Sequence, residues 1–164
     1  MFKYMKSIQR IDLTDCLGLL PTACSLLIDH NKSLSHVQLS GCNNGVDNSV
    51  LGLIATHLTG TLNFLDISYC KTITDEGLAH FSGKTYPLDS LVVNGCNGIS
   101  GEGLKLMLNS FKDTLLELEA AFNDQAGFNS SFFESLGYCF NLETLDVTGS
   151  NDVNDDGGRA LTNA

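Results

Sequence analysis

Six cysteines and four histidines are the side chains of this 164-residue chain best suited to metal, redox or nucleophilic chemistry. A zinc site needs such residues in close pairs such as C-x-x-C, and a disulfide scaffold crowds cysteines into a short secreted chain. Neither pattern occurs. Cys16, Cys42, Cys70 and Cys96 are separated by 26, 28 and 26 residues, while Cys24 and Cys139 stand apart. His30, His36, His57 and His80 are dispersed, and no serine or cysteine is spaced to pair with one of them as a nucleophile. The loops Gly41-Cys42-Asn43-Asn44-Gly45 and Gly95-Cys96-Asn97-Gly98 resemble phosphate cradles in composition, but lack the lysine of a P-loop. Asp152, Asp155 and Asp156 offer oxygens to calcium without the EF-hand spacing, and a helix start accounts for them. No acid, base and nucleophile converge, so the chain reads as a non-enzyme with no cofactor and no metal.

The cysteine spacing is the informative signal. Each of the four closes an apolar string: Ile8, Ile11, Leu13, Cys16; Leu34, Val37, Leu39, Cys42; Leu62, Leu65, Ile67, Cys70; Leu88, Leu91, Val93, Cys96. Two further copies end differently, as Leu115, Leu118, Ala120, Asn123 and Leu142, Leu145, Val147, Ser150. The string L-x-x-L-x-L-x-x-C/N thus recurs in units starting near residues 7, 33, 61, 87, 114 and 141.

Within a unit, Phe64 to Ser68 alternates as a strand with Leu65 and Ile67 inward and Phe64, Asp66 and Ser68 toward solvent. After Cys70 the chain turns, Ile73 returns to the core, and Thr74 stands at a helix N-cap ahead of Asp75 and Glu76. Leu78 and Phe81 continue the inward face. The fourth unit repeats this with Ile99, Ser100, Glu102, Leu104, Met107 and Leu108, and the sixth with Val153, Asn154, Asp155 and Asp156. The second unit carries one extra residue before Val46.

No unit can bury its own apolar side, so the units must stack. The expected fold is an α/β solenoid of about six strand–helix repeats over one domain, residues 1–164. A parallel sheet lines its concave face and helices its convex face. The recurring cysteine slot points inward, where a thiol behaves as a small hydrophobe with weak hydrogen-bonding capacity. Asn123 in the same slot should bond the loop backbone, and Cys24 and Cys139 should belong to the core of the helical half. Reduced, buried thiols point to the cytoplasm. Met1 to Met5 is expected to cover the first unit. Nothing follows Ala164 to shield Leu161, which fits a fragment or a last unit packed on a partner.

The charge narrows the partners. With 19 acidic and 9 basic residues the net charge is −10, which opposes nucleic acid and anionic membrane surfaces. No apolar run approaches the ~18 residues of a membrane span. Lys3, Lys6 and Arg10 give the N-terminus a faint transit-peptide character, but Ile8 and Ile11 already belong to the first unit.

Residues 67–78, Ile-Ser-Tyr-Cys-Lys-Thr-Ile-Thr-Asp-Glu-Gly-Leu, and 93–104, Val-Asn-Gly-Cys-Asn-Gly-Ile-Ser-Gly-Glu-Gly-Leu, carry a family resemblance. The chain resembles the cysteine-containing class of leucine-rich repeats, most strongly from Ser33 to Phe111. The resemblance implies a recognition or scaffolding role. Such repeats form the substrate-recognising half of F-box ubiquitin-ligase receptors, and occur in mitotic-exit antagonists, axonemal regulatory proteins and an accessory protein of mitochondrial ATP synthase. The F-box itself, a separate helical segment ahead of the repeats, is not seen here.

Outward strand positions should form three columns across the stack. The first is Arg10, His36, Phe64, Ser90, Glu117, Thr144; the second Asp12, Gln38, Asp66, Val92, Glu119, Asp146; the third Thr14, Ser40, Ser68, Asn94, Ala121, Thr148. Adjacent like charges on a sheet repel, so a basic partner would gain by neutralising them. The expected site is therefore a concave acidic face of Asp12, Gln38, Phe64, Asp66, Val92, Glu117, Glu119 and Asp146 holding another protein, with Tyr69 and Phe122 at its rim. The alternative is a structural or accessory subunit of a large assembly.

Overall fold

The computed structural model describes residues 7–123, 127–150 and 159. The readings of Met1 to Met5 as an end cap, and of Asp152 to Asp156 and Leu161, lie outside the described residues. The L-x-L pairs form six strands: β1 (Arg10–Asp12), β2 (His36–Gln38), β3 (Phe64–Asp66), β4 (Ser90–Val92), β5 (Glu117–Glu119) and β6 (Thr144–Asp146). They make one parallel sheet in sequence order, open at both ends. Between them run α1 (Pro21–His30), α2 (Asn48–His57), α3 (Asp75–Ala79), α4 (Gly101–Leu108) and α5 (Ser130–Leu136), consecutive helices packing on one another from α1 to α5. The strands line the concave face and the helices the convex one. No helix among the described residues is long and apolar enough to cross a membrane.

Register follows from burial. Ile11, Val37, Leu65, Leu91, Leu118 and Leu145 lie side by side on the inward face, and a one-residue slip would turn them all to solvent. Below them the apolar positions of strands and helices close into one continuous core.

The slot residue ties each repeat to the one before it. Cys42 Sγ donates to the Leu13 carbonyl at 2.9 Å, Cys70 Sγ to Leu39 at 3.3 Å and Cys96 Sγ to Ile67 at 3.1 Å. Asn123 Nδ2 takes the same path to Val93 at 2.9 Å, and Ser150 Oγ to Ala120 at 3.3 Å. Asn123 does more than a thiol could: it also donates to its own loop at Ala120 and accepts from Cys96 N. Cys42, Cys70, Cys96, Cys24 and Cys139 are buried as expected. Cys16 is not; it is exposed. It belongs to the first described repeat, where among the described residues its thiol meets no carbonyl of a preceding strand.

The helix starts are coupled in the same way. Asp47 caps α2, accepting from Ser49 N at 3.0 Å and Val50 N at 3.1 Å. Burial alone would raise its pKa, but the Ser49 hydroxyl, donating at 2.6 Å, together with these amides outweighs that and holds it below the usual carboxylate value. The second repeat's extra residue is absorbed where Val46 N reaches back four residues to Cys42, against three for Ile73 and Ile99. Ser100 Oγ caps α4 by accepting from Gly103 N at 3.1 Å. Thr74 precedes α3 as expected, yet its side chain makes no capping bond; its hydroxyl accepts instead from Asn48 Nδ2 at 2.9 Å. The first residue of one helix serves the start of the next: Asn48 Oδ1 accepts from Thr74 N at 3.0 Å, and Asp75 Oδ1 from Ser100 N at 2.8 Å. A side chain at Gly77 or Gly103 would collide with Asn48 or Asp75. That contact explains the glycine of each Glu-Gly-Leu phrase.

Two measurements check this packing. Leu65→Ala should cost about 2–5 kcal/mol by urea denaturation, because a cavity opens between two neighbouring repeats.

The thiols should separate into one and five. Burial pushes Cys24 and Cys70 up to about 12 and Cys96 and Cys139 up to about 11, and raises Cys42 as well. An aromatic disulfide reagent at mildly alkaline pH should therefore label Cys16 at once and the other five only after denaturant. Fast native labelling of Cys42, Cys70 or Cys96 would remove the inward slot.

Candidate functional site: the concave face

The backbone register assembles the first two expected columns. Arg10, His36, Phe64, Ser90, Glu117 and Thr144 are partners in turn, as are Asp12, Gln38, Asp66, Val92, Glu119 and Asp146. The face they form differs from the expected solvated one in three places: Ser90, Asp66 and Val92 are buried, only 8%, 9% and 9% exposed.

Most of the carboxylates hold the end of a strand. Asp12 Oδ1 accepts from Thr14 N at 3.0 Å and Thr14 Oγ1 at 2.7 Å, Asp66 Oδ1 from Ser68 N at 2.9 Å, and Asp146 Oδ1 from Thr148 N at 2.8 Å. Those bonds lower the pKa of Asp12, the Thr14 amide first and its hydroxyl second. For Asp146 the Thr148 hydroxyl leads and the amide follows. After β4 and β5, whose middle-column residues are Val92 and Glu119, the preceding repeat's third-column side chain does the same task. Ser68 Oγ accepts from Asn94 N at 3.1 Å, and Asn94 Oδ1 from Ala121 N at 2.7 Å. Glu117 and Glu119 bond across strands instead, accepting from Ser90 Oγ at 2.8 Å and Asn94 Nδ2 at 2.9 Å. The acidic column is thus partly structural. Asp66→Ala, expected to be nearly silent for an outward aspartate, should instead cost about 1 kcal/mol, since the Ser68 amide loses its acceptor.

The opposite end of the face is less committed. A hollow of about 420 Å³ opens over β1 to β3, lined by Arg10, Ile11, Asp12, His36, Gln38 and Phe64. His36 lies against Phe64 with parallel rings, 6.0 Å between centroids and 15° between planes. Asp12, Gln38 and Phe64 of the expected site meet here; Glu117, Glu119 and Asp146 lie strands away. Arg10 and His36 belong to the hollow although the acidic reading passed over them. Their signal was present in the first column, whose β1 and β2 members are its basic ones.

The rim holds a feature of backbone origin. The residue before each slot adopts positive φ in all six repeats: Asp15 56°, Gly41 73°, Tyr69 57°, Gly95 64°, Phe122 58° and Gly149 70°. Left-handed backbone favours glycine, and an aromatic residue there is uncommon. Side chain and glycine alternate along the stack. The glycines leave room for the larger neighbour: a Cβ at Gly41 would strike Asp15, one at Gly95 the Tyr69 ring, and one at Gly149 the Phe122 ring. Tyr69 and Phe122, expected at the rim, remain 48% and 54% exposed.

Residues 61–82 and 138–161 each match the family model described as Leucine Rich repeat. No curated protein sequence matches the chain. Among solved structures, the chain is similar to one from the crystal structure of the Rad7 and Elc1 complex in yeast. The TM-score is 0.54 and the identity 17%, over 85% of this chain and 43% of that one. At that identity the likeness shows the fold, and this chain spans less than half the length of the yeast chain. The tropomodulin C-terminal domain of Caenorhabditis elegans gives a TM-score of 0.49 at 12% identity, over 96% of this chain and 84% of that one.

The rim alternation is testable by a double-mutant cycle. Gly95→Ala should destabilise by about 1–3 kcal/mol, combining left-handed strain with the Tyr69 collision. In a Tyr69→Ala background the cost should fall, leaving only the backbone part. Equal costs in both backgrounds would mean the ring does not sit over Gly95.

Proposed function

We propose that this leucine-rich-repeat protein is a non-enzymatic protein-binding module whose partner lies along the concave face, basic side chains over β5 and β6. The observation that carries the reading is the column register. It places Glu117 beside Thr144, and Glu119 beside Asp146, on one open sheet face of a chain with net charge −10. Adjacent carboxylates repel, and a partner's ammonium or guanidinium groups would relieve that repulsion. Phe64 in the hollow and Tyr69 and Phe122 at the rim offer apolar anchors of the type that dominates binding energy. The resemblance to the substrate-recognising repeats of F-box receptors supports recognition as the role. That the similarly folded yeast chain was crystallised in a complex agrees with this use of the fold. Cysteines buried as thiols in the repeat ladder suit a reducing compartment, and the cytoplasm is the proposed location.

The test uses the two glutamates, whose bonds are only between side chains. Glu117→Lys with Glu119→Lys should weaken capture of lysine-rich peptides from an array, and of the native partner, at least tenfold, about 1.4 kcal/mol. Circular dichroism should be unchanged. Added salt should slow wild-type association, because steering by exposed charge is screened. Unaltered binding by the double variant would overturn the concave reading. Stoichiometric recovery with one large assembly regardless of these substitutions would instead identify a structural subunit.

A further inference from the structure

The geometry points to a carboxylate-binding site in the hollow over β1 to β3, so that a partner segment crosses the face in one direction, acid end at β1–β2 and basic end at β5. This rests on the concave face as the binding surface and adds a substrate class and a polarity to it.

The hollow is built from unlike parts. Arg10 brings a guanidinium, and among the described residues no carboxylate lies within ion-pair distance of it. Its strand neighbour Asp12 is turned to the amide and hydroxyl of Thr14. His36 is fixed on two sides: Phe64 stacks on its ring, and Ser35 Oγ lies 3.0 Å from Nδ1. The remaining nitrogen, Nε2, has no partner among the described residues. A guanidinium offers a forked pair of donors that matches a carboxylate, and an imidazole carrying its proton on Nε2 adds a third donor. Gln38 supplies a neutral amide, while Ile11 and Phe64 give the ligand's carbon skeleton an apolar wall. One firm positive charge beside Asp12 suits a monoanion; a phosphate dianion would face that carboxylate undercompensated. The volume is at the small end of ligand sites, enough for one residue-sized group.

The rest of the face fixes the direction. From β2 to β5 is three strand spacings, roughly 14 Å, which an extended chain covers in about four to five residues. A segment with its carboxylate over Arg10 and His36 therefore brings a basic residue four or five positions away over Glu117 and Glu119.

The experiment titrates the full chain with three acetylated peptides. These are Lys-Ala-Ala-Ala-Leu with a free terminal carboxylate, the same peptide as its amide, and the amide with glutamate replacing the leucine. The free acid should bind at least tenfold tighter than the amide, and Arg10→Gln should abolish that difference while circular dichroism stays unchanged. If the glutamate amide matches the free acid, a side-chain carboxylate serves as well as a chain terminus; if it matches the plain amide, the site takes termini. Equal binding of free acid and amide by the wild type, or a preference that survives Arg10→Gln, would overturn the site. Failure of the free acid to bind at millimolar concentration would overturn it too. The protein-binding reading fails separately, when lysine-containing amides bind equally to wild type and to the Glu117→Lys, Glu119→Lys variant.

Discussion

The structure depends on one hydrogen bond repeated between neighbours. At the end of each inward strand pair a carbonyl is left under the loop, and the slot side chain of the next repeat donates to it, from Cys42 to Leu13 through Ser150 to Ala120. A thiol, an amide and a hydroxyl all serve, so the requirement is a small donor. Along the middle of the stack, from Cys70 to Asn123, the bond is buried, and leaving it unmade there would strand an unsatisfied carbonyl. The bond also fixes phase. Slot and strand are joined by a constant three residues, so a repeat that satisfies its neighbour's carbonyl has its leucines inward by construction. The left-handed residue just before the slot aims the chain into that position, which is why positive φ recurs there even at Tyr69 and Phe122.

That economy constrains the concave face. A three-residue strand leaves the amide two positions beyond its last outward residue in need of an acceptor, and a short carboxylate there reaches it. Asp12, Asp66 and Asp146 are explained to that extent by strand closure alone. Gln38, Val92 and Glu119 break the pattern, and for the last two Ser68 and Asn94 of the preceding repeats compensate. An acidic column on such a face is thus a mixed signal, part structure and part electrostatic surface. Its mutational consequences divide the same way: short aspartates act on stability, the glutamates on what meets the surface.

Much of this was legible before any coordinates. The invariant spacing within each string and the period-two alternation determine strand phase, so the columns, the inward slot and the polar atoms of Asn123 could be read directly. What escaped was set by neighbours in space. Cys16 closes the same apolar pattern as Cys70 yet is exposed, because the burial of a slot depends on neighbours in space, which no local pattern encodes. Thr74 looks like a cap, yet Asn48 lies 26 residues upstream and competes for both its amide and its hydroxyl. The burial of Ser90, Asp66 and Val92 depends on what neighbouring repeats place beside them, which period-two alternation does not encode. The rim alternation of Asp15, Gly41, Tyr69, Gly95, Phe122 and Gly149 was written in the sequence, but its meaning needed the knowledge that each side chain lies over the next repeat's glycine.

Recognition in such a stack can vary only where a side chain owes nothing to its neighbours. Interior positions are taken by packing, slot positions by the carbonyl ladder, helix-start positions by Asn48- and Asp75-type bridges, and third-column positions by strand closure. Outward residues at the head of β1, β2 and β3 escape all four demands, since they precede the turn and lie above the core. Arg10, His36 and Phe64 differ in charge, polarity and size while the inward residues beside them, Ile11, Val37 and Leu65, stay aliphatic. The most chemically diverse part of the face therefore coincides with positions that none of these four demands fixes, where a repeat fold can vary its surface without altering its core.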